Sequence, residues 1–188
     1  MTLNPCSNDL DFCCCPEILG HVRRIYEYRR RLPHFQKDEQ ALFVTFRKLT
    51  KDPFPSSARD IVLQHCLHDH GTKLFMYAAV VMPDHVHLLL EPLRDAGGET
   101  FSLIELIQPI KSASSHTLNR LSGQAGPVWQ DESFDHVLRS DESLRQKADY
   151  IRMNPVRRGL VVRPEEYRWL WIEAALRYEL DGWSIAAV

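Results

Sequence analysis

Two apolar runs flank a single Pro-Asp pair: Leu74 to Val81 on one side, His85 to Glu91 on the other. Both are rich in β-formers, and the turn between them is too short for anything but a reversal. The spacing predicts two adjacent antiparallel strands. Side chains alternate along a strand, so Val86, Leu88 and Leu90 pack on a core while His85 and His87 project together to the opposite side. Two neutral imidazoles side by side form half of a metal site. The same pattern also describes a histidine pair on a half-buried strand that binds nothing.

The remaining elements follow from periodicity. Leu42, Val44 and Phe46 alternate with Phe43, Thr45 and Arg47, which reads as a first strand. After the Asp52–Ser57 loop comes a helix to about His70, with Ile61, Val62, Cys66 and Leu67 on its apolar side and Gly71 placed to end it. Leu103, Ile107, Ile110 and Leu118 mark a second helix from about 102 to 121, which Pro109 should kink or split. Short strands are expected at Val128-Trp129 and Phe134 to Leu138. The order β-α-β-β-α-β with a further helix indicates an α+β fold: a ferredoxin-like antiparallel sheet with helices on one side.

That further helix is capped by Ser140 and carries an apolar stripe of Leu144, Ala148 and Ile151. Pro155 is expected to end it. At about 100° per residue, Tyr150 and Asn154 fall on one flank of the stripe with Lys147 close by. Alone, they read as a tyrosine at the edge of a core and an asparagine at a helix end.

At 188 residues the chain is expected to form one domain, over 23–180, with a mobile leader at 1–22 and a tail at 181–188. The net charge of −2 does not announce nucleic acid, but its distribution is uneven. Arg23, Arg24, Arg29, Arg30 and Arg31 face one acid, Glu27; Arg152, Arg157, Arg158, Arg163 and Arg168 face Glu165 and Glu166. Such stripes suit an anionic partner touching part of the surface, or form a solvated face. The five cysteines (Cys6, Cys13, Cys14, Cys15, Cys66) match no common zinc spacing and read as reduced thiols. No signal peptide is evident, and the longest apolar run, nine residues from Leu74 to Met82, is too short to span a bilayer. A cytoplasmic protein is expected.

Two segments, Ala79 to Leu89 (AVVMPDHVHLL) and Tyr150 to Val161 (YIRMNPVRRGLV), resemble the single-tyrosine HUH transposases, and more narrowly the REP-associated tyrosine transposases of bacteria. Arg30 to His34, Phe43 to Arg47, Lys111-Ser112 and Val128 to Asp135 agree, so the resemblance covers roughly residues 28 to 172. It implies that His85, His87 and Asn154 hold a divalent cation, magnesium or manganese, and that Tyr150 is the nucleophile on a catalytic helix in the C-terminal part. It further implies cleavage and rejoining of single-stranded DNA near hairpin-forming palindromes, through a 5′-phosphotyrosine and a free 3′-hydroxyl, by a monomer or homodimer.

A strand of DNA is held by basic groups and stacking aromatics. Arg29, Arg30, Arg31, Lys111, Arg157 and Arg158 are the candidate phosphate contacts; Tyr28, Trp129, Phe134, Tyr167 and Trp169 have the composition for stacking, with core packing the competing role for the tryptophans. Two further readings stay open: a catalytically silent regulator that binds DNA hairpins, and a metal-dependent hydrolase in which Tyr150 is structural.

Overall fold

The computed structural model describes residues 25–29, 33–37, 40–138 and 141–186. A short antiparallel hairpin, β1 (Ile25–Arg29) with β2 (Pro33–Lys37), precedes the main unit. Then follow β3 (Leu42–Lys48), α1 (Ser56–Leu67), β4 (Leu74–Val81), β5 (His85–Pro92), α2 (Leu103–Ser122), β6 (Trp129–Val137), α3 (Asp141–Arg157), a 3-10 turn at Pro164–Glu166, β7 (Leu170–Ile172) and α4 (Ala174–Ala186). The five-stranded sheet runs β6-β3-β5-β4-β7, and every neighbouring pair is antiparallel. Its first four strands have the ferredoxin-like order, and β7 extends the β4 edge. The fold class is therefore α+β, as the element order indicates.

The alternation in β5 sorts the two faces. Val86, Leu88 and Leu90 join Leu42, Val44, Phe46 and Val81 beneath α1 and α2, which contribute Val62, Cys66, Leu106, Ile107 and Ile110. Burial of these side chains, each worth roughly 1.5–3 kcal/mol, is what drives this face together. The opposite face is also covered, which corrects the expectation of helices on one side. Phe43, Ala78, Val80, Met82 and Leu89 pack against Ala148 and Ile151 of α3 and Leu176 and Leu180 of α4. The physical reason is in β4 and β5: most of their residues are buried on both faces, so the sheet needs two covering layers.

Four boundaries differ from the periodicity. α2 runs unbroken through Pro109, because the ring is exposed and the buried residues Leu106, Ile107 and Ile110 anchor the helix on either side of it. Ser102 and Glu105 form a reciprocal capping box at its start, and Gly123, at φ +66°, closes it. β6 is one strand, since it pairs with β3 along its length with a bulge between Phe46 and Lys48. α1 ends at Leu67, before Gly71. α3 continues past Pro155 to Arg157; the proline is buried, and the helix closes beyond it, with Gly159 at φ +66° and the Leu160 N–H donating to the Pro155 carbonyl. The range expected as a tail belongs to α4 as far as Ala186. Ser140 and residues 1–22 lie outside the described residues.

Candidate functional site

β5 and β3 are antiparallel with His87 opposite Thr45 and His85 opposite Arg47. The two imidazoles therefore stand on the face covered by α3, next to a hydroxyl and a guanidinium. Both are buried. Their Nε2 atoms converge to 3.1 Å. Each Nδ1 is held from behind: His85 Nδ1 lies 2.7 Å from Asp84 Oδ1, and His87 Nδ1 lies 2.7 Å from Thr45 Oγ1. A carboxylate only accepts, so His85 carries its proton on Nδ1 and donates to Asp84, leaving Nε2 as a bare lone pair. The Thr45 hydroxyl, donor and acceptor at once, serves either tautomer of His87.

Both rings are kept neutral. Burial lowers the His85 pKa, against the opposing pull of Asp84. Burial, then the charges of His85, Arg47 and Arg158, push His87 down to about 3. The Asp84 carboxyl is held below its ordinary value: burial opposes the shift, but the hydrogen bond to His85 and the charges of His85, Arg158 and Arg47 together outweigh it.

Tyr150 reaches the same place from α3. Its ring centroid lies 5.6 Å from that of His87 and 5.9 Å from that of Phe43, and Phe43 stacks on His87 at 5.3 Å. Tyr150 is 37% exposed, so its ring is wedged into the site while its edge meets solvent. Two cations flank it: the Arg157 guanidinium at 5.4 Å and the Lys147 ammonium at 5.8 Å from the ring centroid. Asn154 is buried one helical turn further along α3.

The donor set fits a divalent cation. With metal–nitrogen bonds of about 2.1 Å, adjacent ligands of an octahedral ion stand about 3.0 Å apart, close to the observed Nε2 separation of 3.1 Å. Backing of each Nδ1 by an oxygen is the usual arrangement behind imidazole ligands. Among the described residues no group of three His, Cys, Asp or Glu converges.

The sequence-predicted phosphate contacts divide. Arg157 and Arg158 are exposed at the end of α3, and Arg158 is near enough to act on both histidines. Lys111 is a correction: it is buried in α2, and its ammonium donates to the carbonyls of Gln130 (2.6 Å) and Asp131 (3.0 Å) on β6. A charge so engaged is committed to joining helix and strand. Arg30 and Arg31 lie outside the described residues, and Arg29 is placed only as a backbone position on β1. Of the aromatic candidates, Trp129 and Tyr167 are core residues, and Trp169 is partly buried with the Arg59 guanidinium 3.5 Å from its ring centroid. Phe134 is 57% exposed.

Local pattern does not single out Asp84, Thr45 and Arg47 as site residues. In the sequence Asp84 is a turn residue, and Thr45 and Arg47 belong to an ordinary strand face. Only the register of β3 against β5 makes them neighbours of the histidines.

Fold and face together define a ferredoxin-like domain with a histidine pair and a helix-borne tyrosine on one side of its sheet. No protein-family model matches the chain. It is 28% identical over 90 residues to the REP-associated tyrosine transposase of Escherichia coli, covering 48% of this chain and 49% of that protein. A Haemophilus influenzae protein assigned to the same family is 29% identical over 89 residues, 45% of this chain and 51% of its own length. The chain thus spans about half the length of these curated relatives. Among solved structures, a REP-associated tyrosine transposase bound to a REP hairpin superposes with a TM-score of 0.57 at 20% identity, over 77% of this chain and 81% of that one, a likeness of fold. Over that half the chain is similar in sequence to REP-associated tyrosine transposases, and it shares the fold of one of them.

Proposed function

We propose that this protein is a metal-dependent transposase that cleaves and rejoins single-stranded, hairpin-bearing DNA through a tyrosine-linked intermediate. The observation that carries the reading is the convergence of His85 Nε2 and His87 Nε2 at 3.1 Å beneath the Tyr150 ring. The family relatives and the fold shared with a REP-hairpin complex support DNA as the partner.

In this reading His85, His87 and Asn154 hold the cation, magnesium or manganese; imidazole donors make manganese acceptable. Bound there, the ion would supply Lewis-acid charge for the scissile phosphate and the departing oxygen. The Tyr150 hydroxyl oxygen attacks phosphorus, the bond from phosphorus to the 3′-oxygen breaks, and the 5′-phosphate becomes an ester of Tyr150. The phenolic proton passes to solvent and the 3′-oxygen leaves as a hydroxyl. Rejoining is the reverse attack by a 3′-hydroxyl, which returns Tyr150 as a free phenol. Arg157 and Lys147 beside the ring favour the anionic oxygens that gather there, and Arg158 and Arg47 add positive charge around the histidines. Asp84 and Thr45 keep the imidazoles aimed.

The test is a hairpin oligonucleotide with single-stranded flanks, incubated with protein and Mn2+ or Mg2+ and run on a denaturing gel. A covalent protein–DNA adduct is expected, absent in chelator, with the nucleotide mapped to Tyr150 by mass spectrometry. Tyr150→Phe should bind the oligonucleotide with unchanged affinity and form no adduct. Cleavage without any adduct would favour a hydrolase; binding without cleavage, a silent regulator. A nucleotide on Tyr77, Tyr167 or Tyr178 would refute the assignment.

A further inference from the structure

We infer that Phe134 is a base-stacking platform for a nucleotide next to the scissile phosphate, an inference that rests on the strand-cleavage reading above. A lone exposed apolar side chain is ordinary on a protein surface; the position of this one is not. Thr45 is the cross-strand partner of both His87 and Phe134. Residues directly opposite in an antiparallel pair share a face. Phe134, Thr45 and His87 therefore form one row across the sheet, with Phe134 two strands, roughly 10 Å, from the histidine.

The helix that covers this face leaves the row's outer end open. α3 crosses β4 and β5. Phe43 on β3 is buried under Tyr150 and Lys147, but Phe134 and His136 on β6 are exposed. The result is a shelf that starts at the Tyr150 ring, passes over Phe43 and Thr45, and ends on a phenyl ring that is 57% exposed, on a strand that β2 also approaches. Nothing in the core requires an aromatic there: Phe134 belongs to neither apolar cluster. The basic groups near Tyr150 and the histidines (Arg47, Lys147, Arg157 and Arg158) give the shelf the sign that suits a phosphodiester strand. An aromatic ring beside a basic track is how single-stranded nucleic acid is held without reading its sequence. A phosphate seated at the histidine pair puts an adjoining base within reach of Phe134.

The experiment uses the full chain and a hairpin oligonucleotide with single-stranded flanks, carrying one 2-aminopurine at successive flank positions. Wild type should quench the probe at one position next to the phosphate that Tyr150 attacks. Phe134→Ala should lose that quench and bind the flanked oligonucleotide at least about fivefold more weakly, with unchanged affinity for the blunt hairpin alone. Phe134→Trp should restore both, a rescue that a merely structural role would not show. Quench and affinity retained within about twofold in Phe134→Ala would overturn the platform, since stacking on an aromatic ring is worth more than that. An adduct on Tyr150 with no quench at any position would overturn it while leaving the strand-cleavage reading intact. Position-specific quench without an adduct would do the opposite. If wild type binds no single-stranded DNA, both fall.

Discussion

The two faces of the central sheet are built from the same strands and obey different rules. Beneath α1 and α2, the β3 and β5 side chains are Leu42, Val44, Phe46, Val86, Leu88 and Leu90, all buried and apolar. On the other face, the same strands present Phe43, Thr45, Arg47, His85, His87 and Leu89. There α3 covers β4 and β5 and encloses, with its own partly exposed Tyr150, a buried imidazole pair. The first face supplies free energy through area removed from water. The second carries buried polar groups, which cost free energy unless each is satisfied, and this is why Asp84 and Thr45 stand behind the histidines. One face can thus be polar because the other is not.

The largest expected effect separates the faces outright. His87→Ala should abolish cleavage at a smaller cost in thermal stability than Leu88→Ala, since the lost ring is polar and borders a site that can admit water, although Thr45 loses its partner. Leu88→Ala, its immediate neighbour, should cost about 2–5 kcal/mol of unfolding free energy by leaving a cavity, with cleavage per folded molecule unchanged. Denaturant titration and a cleavage gel on both variants check this; equal loss of stability in both would break the comparison.

Asp84→Ala comes next. Removing the acceptor behind His85 should weaken metal binding and cleavage about 10–100-fold, recoverable at high Mn2+, with hairpin affinity unchanged. Calorimetric titration with Mn2+ measures it.

On the polar face acid should act through His87. The folded-state pKa of His87, about 3, lies below its ordinary value of 6.5, so between these values the unfolded chain binds more protons. Stability from this residue is fully present above about pH 6.5 and declines as pH falls toward 3. Melting temperatures measured from neutral pH down into the acid range should drop less steeply in His87→Ala than in Leu88→Ala.

The smallest effect concerns the basic groups. Arg157→Ala with Arg158→Ala should lower affinity for single-stranded DNA and flatten the log–log salt dependence by about 1.4, or about 0.7 for each phosphate left without its arginine. Lys111→Met should leave that slope unchanged and lower stability, because two carbonyls of β6 lose their donor. An altered slope in Lys111→Met would mean that its ammonium leaves the fold to meet DNA.

Local and periodic features are legible without coordinates. Alternation in 85–91 puts both histidines on one side of a strand, and the stripe of Leu144, Ala148 and Ile151 puts Tyr150 and Asn154 on one flank of a helix. Element order names the ferredoxin-like sheet. Whatever depends on register, or on which layer covers which face, follows from long-range packing. Only the pairing of β3 with β5 sets Thr45 against His87 and Arg47 beside Asp84, residues that local pattern marks as ordinary strand and turn. Only the packing of α3 across the sheet brings a tyrosine from far along the chain to the ring of His87. Prolines show the same limit: Pro109 and Pro155 read as helix breakers, yet each removes a single donor, and packing on the sheet outweighs it. Lys111 is legible as charge, but its burial depends on where β6 passes, which no local pattern encodes.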